Sequence, residues 1–156
     1  MREGVRAELD VAAPAERVWD VVMDPAALHE WVTVHAGLED PVPDALDEGT
    51  EFTQRLRVLG AEFDVRWTVV RADRPRRVEW DGAGPGGSKA AVRYTLAGLE
   101  GGRTRFGYEN EFDPPGGRVG RRVGRALGHR KARREAERSL ANLKALVEST
   151  APAATP

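Results

Sequence analysis

Alternating apolar and polar positions predict a set of antiparallel strands over most of the chain. Residues 5–11 place apolar side chains at every second position, which is the pattern of a strand with one buried face. The same alternation recurs in five later segments: residues 51–59, 62–70, 77–81, 89–97 and 103–112. Turns that contain Gly or Pro separate these segments. The pattern is typical of an antiparallel sheet that is wet on one face only.

Two short helices are predicted after the first strand. The first begins at Pro14, since proline suits a first helical turn, and it ends at Asp24-Pro25, because a residue before proline avoids the helical region. A second short helix over residues 26–30 leads to Trp31. Residues 32–34 are compatible with a short strand, and the Pro- and Asp-rich residues 38–48 predict an irregular surface loop.

The only long helical pattern covers residues 116–149. Its apolar residues recur at intervals of three or four within two runs, Val119, Val123 and Leu127, and then Ala136, Leu140, Leu143 and Val147. An unbroken helix of this span would be roughly 50 Å long. A helix of that length needs a wide surface to lie on, and the predicted sheet provides one.

Glycines recur every fourth residue at the start of this helix, at Gly116, Gly120, Gly124 and Gly128. Each costs about 1 kcal/mol relative to alanine inside a helix. One interpretation is a frayed or interrupted helical start. The other is a soft segment that moves to admit a ligand, since mobile gates are drawn from regions of low stability.

The same stretch is rich in arginine. Residues 118–138 contain nine Arg or Lys and two Glu. A basic patch for nucleic acid, the ribosome or an anionic membrane is one interpretation. A solvated helix face is favoured, because the segment lacks the aromatic side chains on which bases would stack.

Composition narrows the class of protein. The chain is 40 % hydrophobic and 31 % charged, as expected for one folded domain, here residues 1–149, with a disordered tail at residues 150–156. It has no cysteine, and His29, His35 and His129 lack the spacing of a zinc site, so no metal and no cofactor are expected. Neither a membrane span nor a signal peptide is predicted, which favours a cytoplasmic location.

Several short sequences resemble one known superfamily. They are the run Pro14-Ala15-Glu16-Arg17-Val18-Trp19-Asp20-Val21 with Asp24-Pro25 and Trp31, Gly60 at a turn, Pro75 before Val78-Glu79-Trp80, and Arg138-Ser139-Leu140-Ala141-Asn142-Leu143-Lys144. Over residues 3–148 the chain resembles the START-like (SRPBCC) superfamily of polyketide cyclases/dehydrases and lipid-transport proteins. The resemblance implies an α+β helix-grip fold, in which a curved antiparallel sheet holds the C-terminal helix over an apolar cavity. Members include lipid carriers, hormone and quinone binders, and polyketide aromatases.

Polar residues fall on the inward face of the predicted sheet. By alternation this face carries Gln54, Tyr94, Tyr108 and Asn110 beside Trp67 and Trp80. Buried polar groups need partners, and a ligand cavity is an apolar pocket with a few such groups. In the implied fold Trp31 would lie near the cavity mouth. The predicted ligand-binding set is therefore Trp31, Gln54, Trp67, Trp80, Tyr94, Tyr108 and Asn110.

The leading functional hypothesis is binding of a small hydrophobic molecule, such as a lipid, a polyketide-like aromatic or a quinone. The alternative is a polyketide cyclase or aromatase, in which Tyr94, Tyr108 or an inward carboxylate would move a proton. No carboxylate–histidine pair is apparent, and Asp and Glu fall mostly on outward or loop positions, so no catalytic residue is assigned. A third interpretation is a partner-binding or nucleic-acid-binding module that uses the Arg-rich helix. Both monomer and homodimer stay open.

Overall fold

A curled, seven-stranded antiparallel sheet and one long helix make up the fold. The computed structural model describes residues 3–58, 60–113 and 117–150, with side chains over residues 4–58, 60–113 and 130–149. The strands are β1 (Glu3–Val11), β2 (His35–Leu38), β3 (Glu51–Val58), β4 (Ala61–Asp73), β5 (Arg77–Ala83), β6 (Lys89–Leu99) and β7 (Arg103–Asp113). Their order in the sheet is β1-β7-β6-β5-β4-β3-β2, so β2 and β1 form the two edges. The tail was predicted over residues 150–156; Thr150 is the last residue of the C-terminal helix, and residues 151–156 lie outside the described residues.

Three α-helices accompany the sheet within the described residues. Helix α1 (Ala15–Val22) follows Pro14, and a 3₁₀ turn (Pro25–Ala27) continues directly into α2 (Leu28–Trp31). Asp24 caps this turn through its side chain, which accepts a hydrogen bond from the Ala26 amide at 2.9 Å. Helix α3 (Gly117–Thr150) confirms the long C-terminal helix. Its backbone is helical from Gly117 onward, so Gly120, Gly124 and Gly128 do not interrupt it, whereas Gly116 lies outside the described residues. Movement of this segment stays a prediction.

Three local predictions differ from the structure. Residues 32–34 do not form a strand; instead the Thr33 amide donates to Ser139 on α3, and β2 begins at His35. The strand predicted over residues 77–81 is longer in the structure: β5 continues through Gly82 to Ala83, because Gly82 pairs with Trp67 of β4. The surface loop predicted over residues 38–48 also differs from the structure: Leu38 belongs to β2, and Leu46 is only 1 % exposed.

The two faces of the sheet differ in chemistry as the alternation predicted. Inward side chains form the core with the apolar sides of the helices. Outward side chains form a row of ion pairs across the strands: Arg6–Glu109 at 2.6 Å, Arg93–Glu109 at 3.2 Å and Arg93–Glu79 at 3.2 Å. The convex face is therefore charge-compensated, and the concave face is left for the core and for a cavity.

The C-terminal half of α3 fastens the helix to the sheet. Leu140, Leu143 and Val147 are buried, and near them Lys144 Nζ donates to the Asp10 carbonyl at 3.0 Å. The Glu148 carboxylate accepts a hydrogen bond from the Ala12 amide at 2.8 Å. Apolar packing and polar contacts thus hold this half of α3 against β1, and α3 residues between 131 and 140 border the concave face.

Candidate ligand-binding cavity

A cavity of about 670 Å³ lies between the concave face of the sheet and α3. Its wall is built by β1, β3, β4, β5, β6 and β7, by α2 with residues 32–34, and by residues 131–140 of α3. All seven residues of the predicted ligand-binding set lie on this wall: Trp31, Gln54, Trp67, Trp80, Tyr94, Tyr108 and Asn110. That they bind a ligand stays a prediction.

The concave face is packed at one end and accessible at the other. Val69, Leu96 and Phe106 belong to the packed end and are 0 %, 5 % and 0 % exposed. Along the same inward rows, Phe63 and Phe112 at the opposite end are only half-buried. The cavity therefore lies toward the end of the sheet where β3 turns into β4, and α1, α2 and the C-terminal half of α3 fill the other end.

Stacked and edge-on aromatic rings form the deep wall. The ring of Tyr94 lies 5.9 Å from that of Trp31, 5.4 Å from Trp80 and 5.8 Å from Tyr108. Trp31 also meets Phe106 edge-on at 6.4 Å. Trp31 was predicted near the cavity mouth, and this was wrong: its ring is 1 % exposed because it packs between Tyr94 and Phe106.

A hydrogen-bonded chain links β2 to this wall through Gln54. Trp67 Nε1 donates to Gln54 Oε1 at 2.9 Å, and Gln54 Nε2 lies 2.8 Å from His35 Nδ1. An indole N–H can only donate, so the amide oxygen faces Trp67 and the amide nitrogen donates to His35. Neutral His35 therefore accepts at Nδ1 and carries its proton on Nε2. His35 was not predicted at the site, because residues 32–34, and not His35, were expected to form the strand.

Stability should depend on the protonation of His35. Burial, helped by the nearby His29, lowers the pKa of His35, and protonation would set two donors against each other at Gln54. The stabilising contribution is therefore complete above the unfolded-state pKa of about 6.5 and is lost as the pH falls through the lower folded-state value. Urea unfolding between pH 7.5 and 5.5 should show the free energy of unfolding decreasing more steeply in the wild type than in His35→Gln. Equal slopes would contradict the prediction.

Tyr108 and Asn110 form a neutral polar pair on the cavity wall. Asn110 Nδ2 donates to the Tyr108 hydroxyl at 2.8 Å, which leaves the phenolic hydrogen and the Asn110 carbonyl oxygen for other partners. Burial raises the pKa of Tyr108, although the hydrogen bond from Asn110 opposes the rise, and burial raises the pKa of Tyr94 well above its usual value. Both tyrosines are therefore neutral donors near pH 7 and not bases.

Two indole groups of the wall have unused donors. Trp31 Nε1 and Trp80 Nε1 are buried without a hydrogen-bond partner among the described residues, unlike Trp67 Nε1. A buried donor left without an acceptor costs about 1–3 kcal/mol. An acceptor brought to either group by water or by a ligand would offset that cost.

One carboxylate lies on the wall, where outward or loop positions were expected for most acidic residues. Glu135 of α3 accepts a hydrogen bond from the Thr33 hydroxyl, and Ser139 Oγ lies 3.2 Å from the same hydroxyl. The spacing of four residues puts Glu135 and Ser139 on one face of the helix, beside the buried Ala136 and Leu140. This spacing relative to the apolar face was the sequence signal that could have placed Glu135 on the cavity wall. The many neighbouring charged residues made the signal hard to recognise.

Two other kinds of site are not built by the parts of the chain that the structure describes. Those residues contain no group of three or more His, Asp or Glu side chains close enough to hold a metal ion. In the same ranges, no helix is long and apolar enough to cross a membrane.

The polyketide cyclase/dehydrase and lipid transport family has a sequence model that matches residues 2–148. The chain belongs to this family. The uncharacterized protein Rv1546 of Mycobacterium tuberculosis, a relative, is 32 % identical over 122 residues, which cover 75 % of this chain and 85 % of the relative. Toxin Rv0910 of the same organism is 30 % identical over 92 residues, or 59 % of this chain and 64 % of the toxin.

Solved structures show that this member of the polyketide cyclase/dehydrase and lipid transport family has the helix-grip fold. The ZhuI aromatase/cyclase from a Streptomyces species matches with a TM-score of 0.77 over 99 % of this chain and 98 % of that one, at 17 % sequence identity. This confirms the α+β fold that the sequence predicted. Family and fold are consistent with binding of a hydrophobic ligand or with a cyclase-type activity.

Proposed function

We propose that the protein binds a small, mainly apolar molecule, such as a lipid, a polyketide-like aromatic or a quinone, in the cavity under α3. One observation carries the proposal: the concave face stays accessible at one end and encloses about 670 Å³ lined largely by apolar side chains. Ligand pockets of folded proteins typically span about 300–1,000 Å³ with few polar groups. If the concave face only formed a hydrophobic core, other side chains would cover its apolar residues at both ends.

The polar groups of the wall favour a ligand that carries oxygen atoms. The Tyr108 hydroxyl is free to donate, and Asn110 Oδ1 is free to accept. The buried indole donors of Trp31 and Trp80 would also gain from an acceptor. A carbonyl or hydroxyl on an aromatic or aliphatic body fits this distribution of donors better than a pure hydrocarbon does.

An enzyme of the polyketide cyclase or aromatase type is the second candidate. The observation that favours it is the Glu135 carboxylate on the cavity wall, which is a possible proton acceptor for a bound substrate. Against it, the Thr33 hydroxyl and the Arg138 guanidinium, at 3.9 Å, already engage that carboxylate. The raised pKa values of Tyr94 and Tyr108 also disfavour either phenol as a base. Binding is therefore the function that the geometry supports best.

Filling the cavity from β6 should abolish binding. Ala90 lies on the cavity wall, whereas its neighbour Ala91 lies on the convex face beside Arg93 and Glu109. We expect Ala90→Trp to reduce the retained small molecule at least tenfold in native mass spectrometry of freshly purified protein, because the indole would occupy the ligand's volume. Ala91→Trp, which adds the same ring to the other face, should retain the ligand like the wild type.

The pattern of retained ligand among the three proteins distinguishes the candidate functions. A bound molecule in wild type and in Ala91→Trp, but not in Ala90→Trp, would support a carrier and give the ligand's mass. Thermal unfolding of all three proteins would verify that Ala90→Trp is folded. Equal retention in Ala90→Trp and Ala91→Trp would contradict the proposal, and an empty wild-type protein would favour an enzyme with a transient substrate.

A further inference from the structure

The charged residues on the cavity wall are mostly cationic. They are Arg57 on β3, Lys131 and Arg138 on α3, and a single carboxylate, Glu135. The three cationic residues are exposed, so they belong to the rim where the wall meets solvent. Helical spacing puts Lys131, Glu135 and Arg138 on one face of α3, which is the face that borders the cavity. The rim therefore has an excess of positive charge.

These cations differ in how far they are already neutralised. Arg57 is paired with Glu62 at 2.7 Å on the outer side of the β3–β4 hairpin. Arg138 Nη1 lies 3.9 Å from Glu135 Oε1, and that carboxylate also accepts from Thr33. Lys131 is exposed and makes no ion pair with any described residue. The ammonium group of Lys131 is therefore the positive charge of the rim that no described carboxylate neutralises, and the charge of Arg138 adds to it.

The interior is unsuited to a charge of either sign. Deeper wall positions are apolar or neutral, with Tyr108 and Asn110 bonded to each other and Gln54 bonded to Trp67 and His35. Moving an ionised group from water to such a wall costs far more than a single hydrogen bond returns. A charged ligand would therefore have to keep its charge at the rim and place its apolar part inside.

We propose that the ligand is an amphipathic anion, with an apolar body in the cavity and one acidic group at the rim beside Lys131 and Arg138. This inference rests on the proposed function, since it names the class of ligand for the same cavity. The oxygen functions that Tyr108 and Asn110 favour would lie along the body of the molecule. The acidic group stays hydrated and gains from the positive field, while the body supplies most of the affinity through burial.

Two fluorescent probes that differ in one charge test this. Anilinonaphthalene sulfonate is an anion, and N-phenyl-1-naphthylamine has the same ring system without the sulfonate. We expect Lys131→Gln to weaken binding of the anionic probe about threefold, and the double variant Lys131→Gln/Arg138→Gln about tenfold, as partly exposed ion pairs allow. Binding of the neutral probe should change by less than twofold in both variants. Raising the salt concentration from 20 to 500 mM should weaken only the anionic probe.

Arg133 supplies the matched control. It is exposed on the same helix, is paired with Glu137 at 3.2 Å and is not on the cavity wall. Arg133→Gln removes the same charge and should leave both probes within twofold of the wild type. Ala90→Trp should remove binding of both probes, which verifies that the signals come from the cavity.

The possible failures are distinguishable. If Lys131→Gln and the double variant leave the anionic probe unchanged, or weaken both probes equally, the acidic-group proposal is overturned while the cavity remains a binding site. If Arg133→Gln weakens the anionic probe as much as Lys131→Gln does, the effect belongs to the whole helix, and the rim assignment is overturned. If neither probe responds to Ala90→Trp, the proposed function fails as well.

Discussion

Replacing Leu143 with alanine is expected to lower the free energy of unfolding by about 2–5 kcal/mol. Leu143 is 0 % exposed and lies in the half of α3 that fastens the helix to the sheet. The truncation removes buried apolar surface and leaves a void that the surrounding side chains fill only in part. Urea unfolding followed by circular dichroism measures the loss.

Leu146 provides the comparison for this prediction. It lies three residues further along α3 and is only partly buried against the same core. Leu146→Ala removes the same atoms with less buried surface, so its cost should be clearly smaller than that of Leu143→Ala. Equal costs would mean that the burial of Leu143 does not determine how firmly α3 is held.

Replacing Gly82 with alanine is expected to cost about 1–3 kcal/mol, the usual range for overpacking a core. A Cβ atom at Gly82 would lie 2.7 Å from Trp67 Cε3 and Cζ3 and 2.7 Å from Val65 Cγ1. Both neighbours are buried, and Trp67 is further held by its hydrogen bond to Gln54. The indole would have to move into the cavity, so the variant should also bind the proposed ligand more weakly.

Gly98 is the matched control for this substitution. It lies in β6 of the same sheet, and a Cβ atom there would meet nothing within 4 Å. Gly98→Ala should therefore change the free energy of unfolding by less than about 0.5 kcal/mol, as surface substitutions usually do. Thermal and urea unfolding of the two variants side by side would test the difference, and a tolerated Gly82→Ala would argue against the close approach of Trp67.

The sequence predicted the sheet and the long helix well because alternation reports which side of a strand is buried. The inward positions of Gln54, Trp67 and Tyr94 follow from period two alone, and all three lie on the cavity wall. The alternation does not, however, predict how deeply each inward side chain is buried. Phe106 and Phe112 share one inward row, yet the first is fully buried and the second is only half-buried. The difference arises because the helices pack over the end that holds Phe106, where Trp31 of α2 contacts its ring.

The features that the sequence did not reveal depend on contacts between distant segments. Thr33 was expected in a strand, but its amide and hydroxyl bind Ser139 and Glu135, which are more than 100 residues away. His35 became part of the site only because β2 pairs with β3 and brings it to Gln54. Gly82 was left outside the strand predicted over residues 77–81, because no local pattern shows that a tryptophan ring lies over it.

The positions of the tryptophans make the intrinsic fluorescence of the protein sensitive to the contents of the cavity. Three of its four tryptophans, Trp31, Trp67 and Trp80, line the cavity, and Trp19 is buried in α1. Each of the three cavity tryptophans has its ring centroid within about 6 Å of that of at least one other aromatic side chain. Intrinsic emission is thus concentrated beside the enclosed space. An aromatic ligand in the cavity would lie close enough to quench the tryptophan fluorescence. The fluorescence intensity would therefore report occupancy of the cavity without any added label.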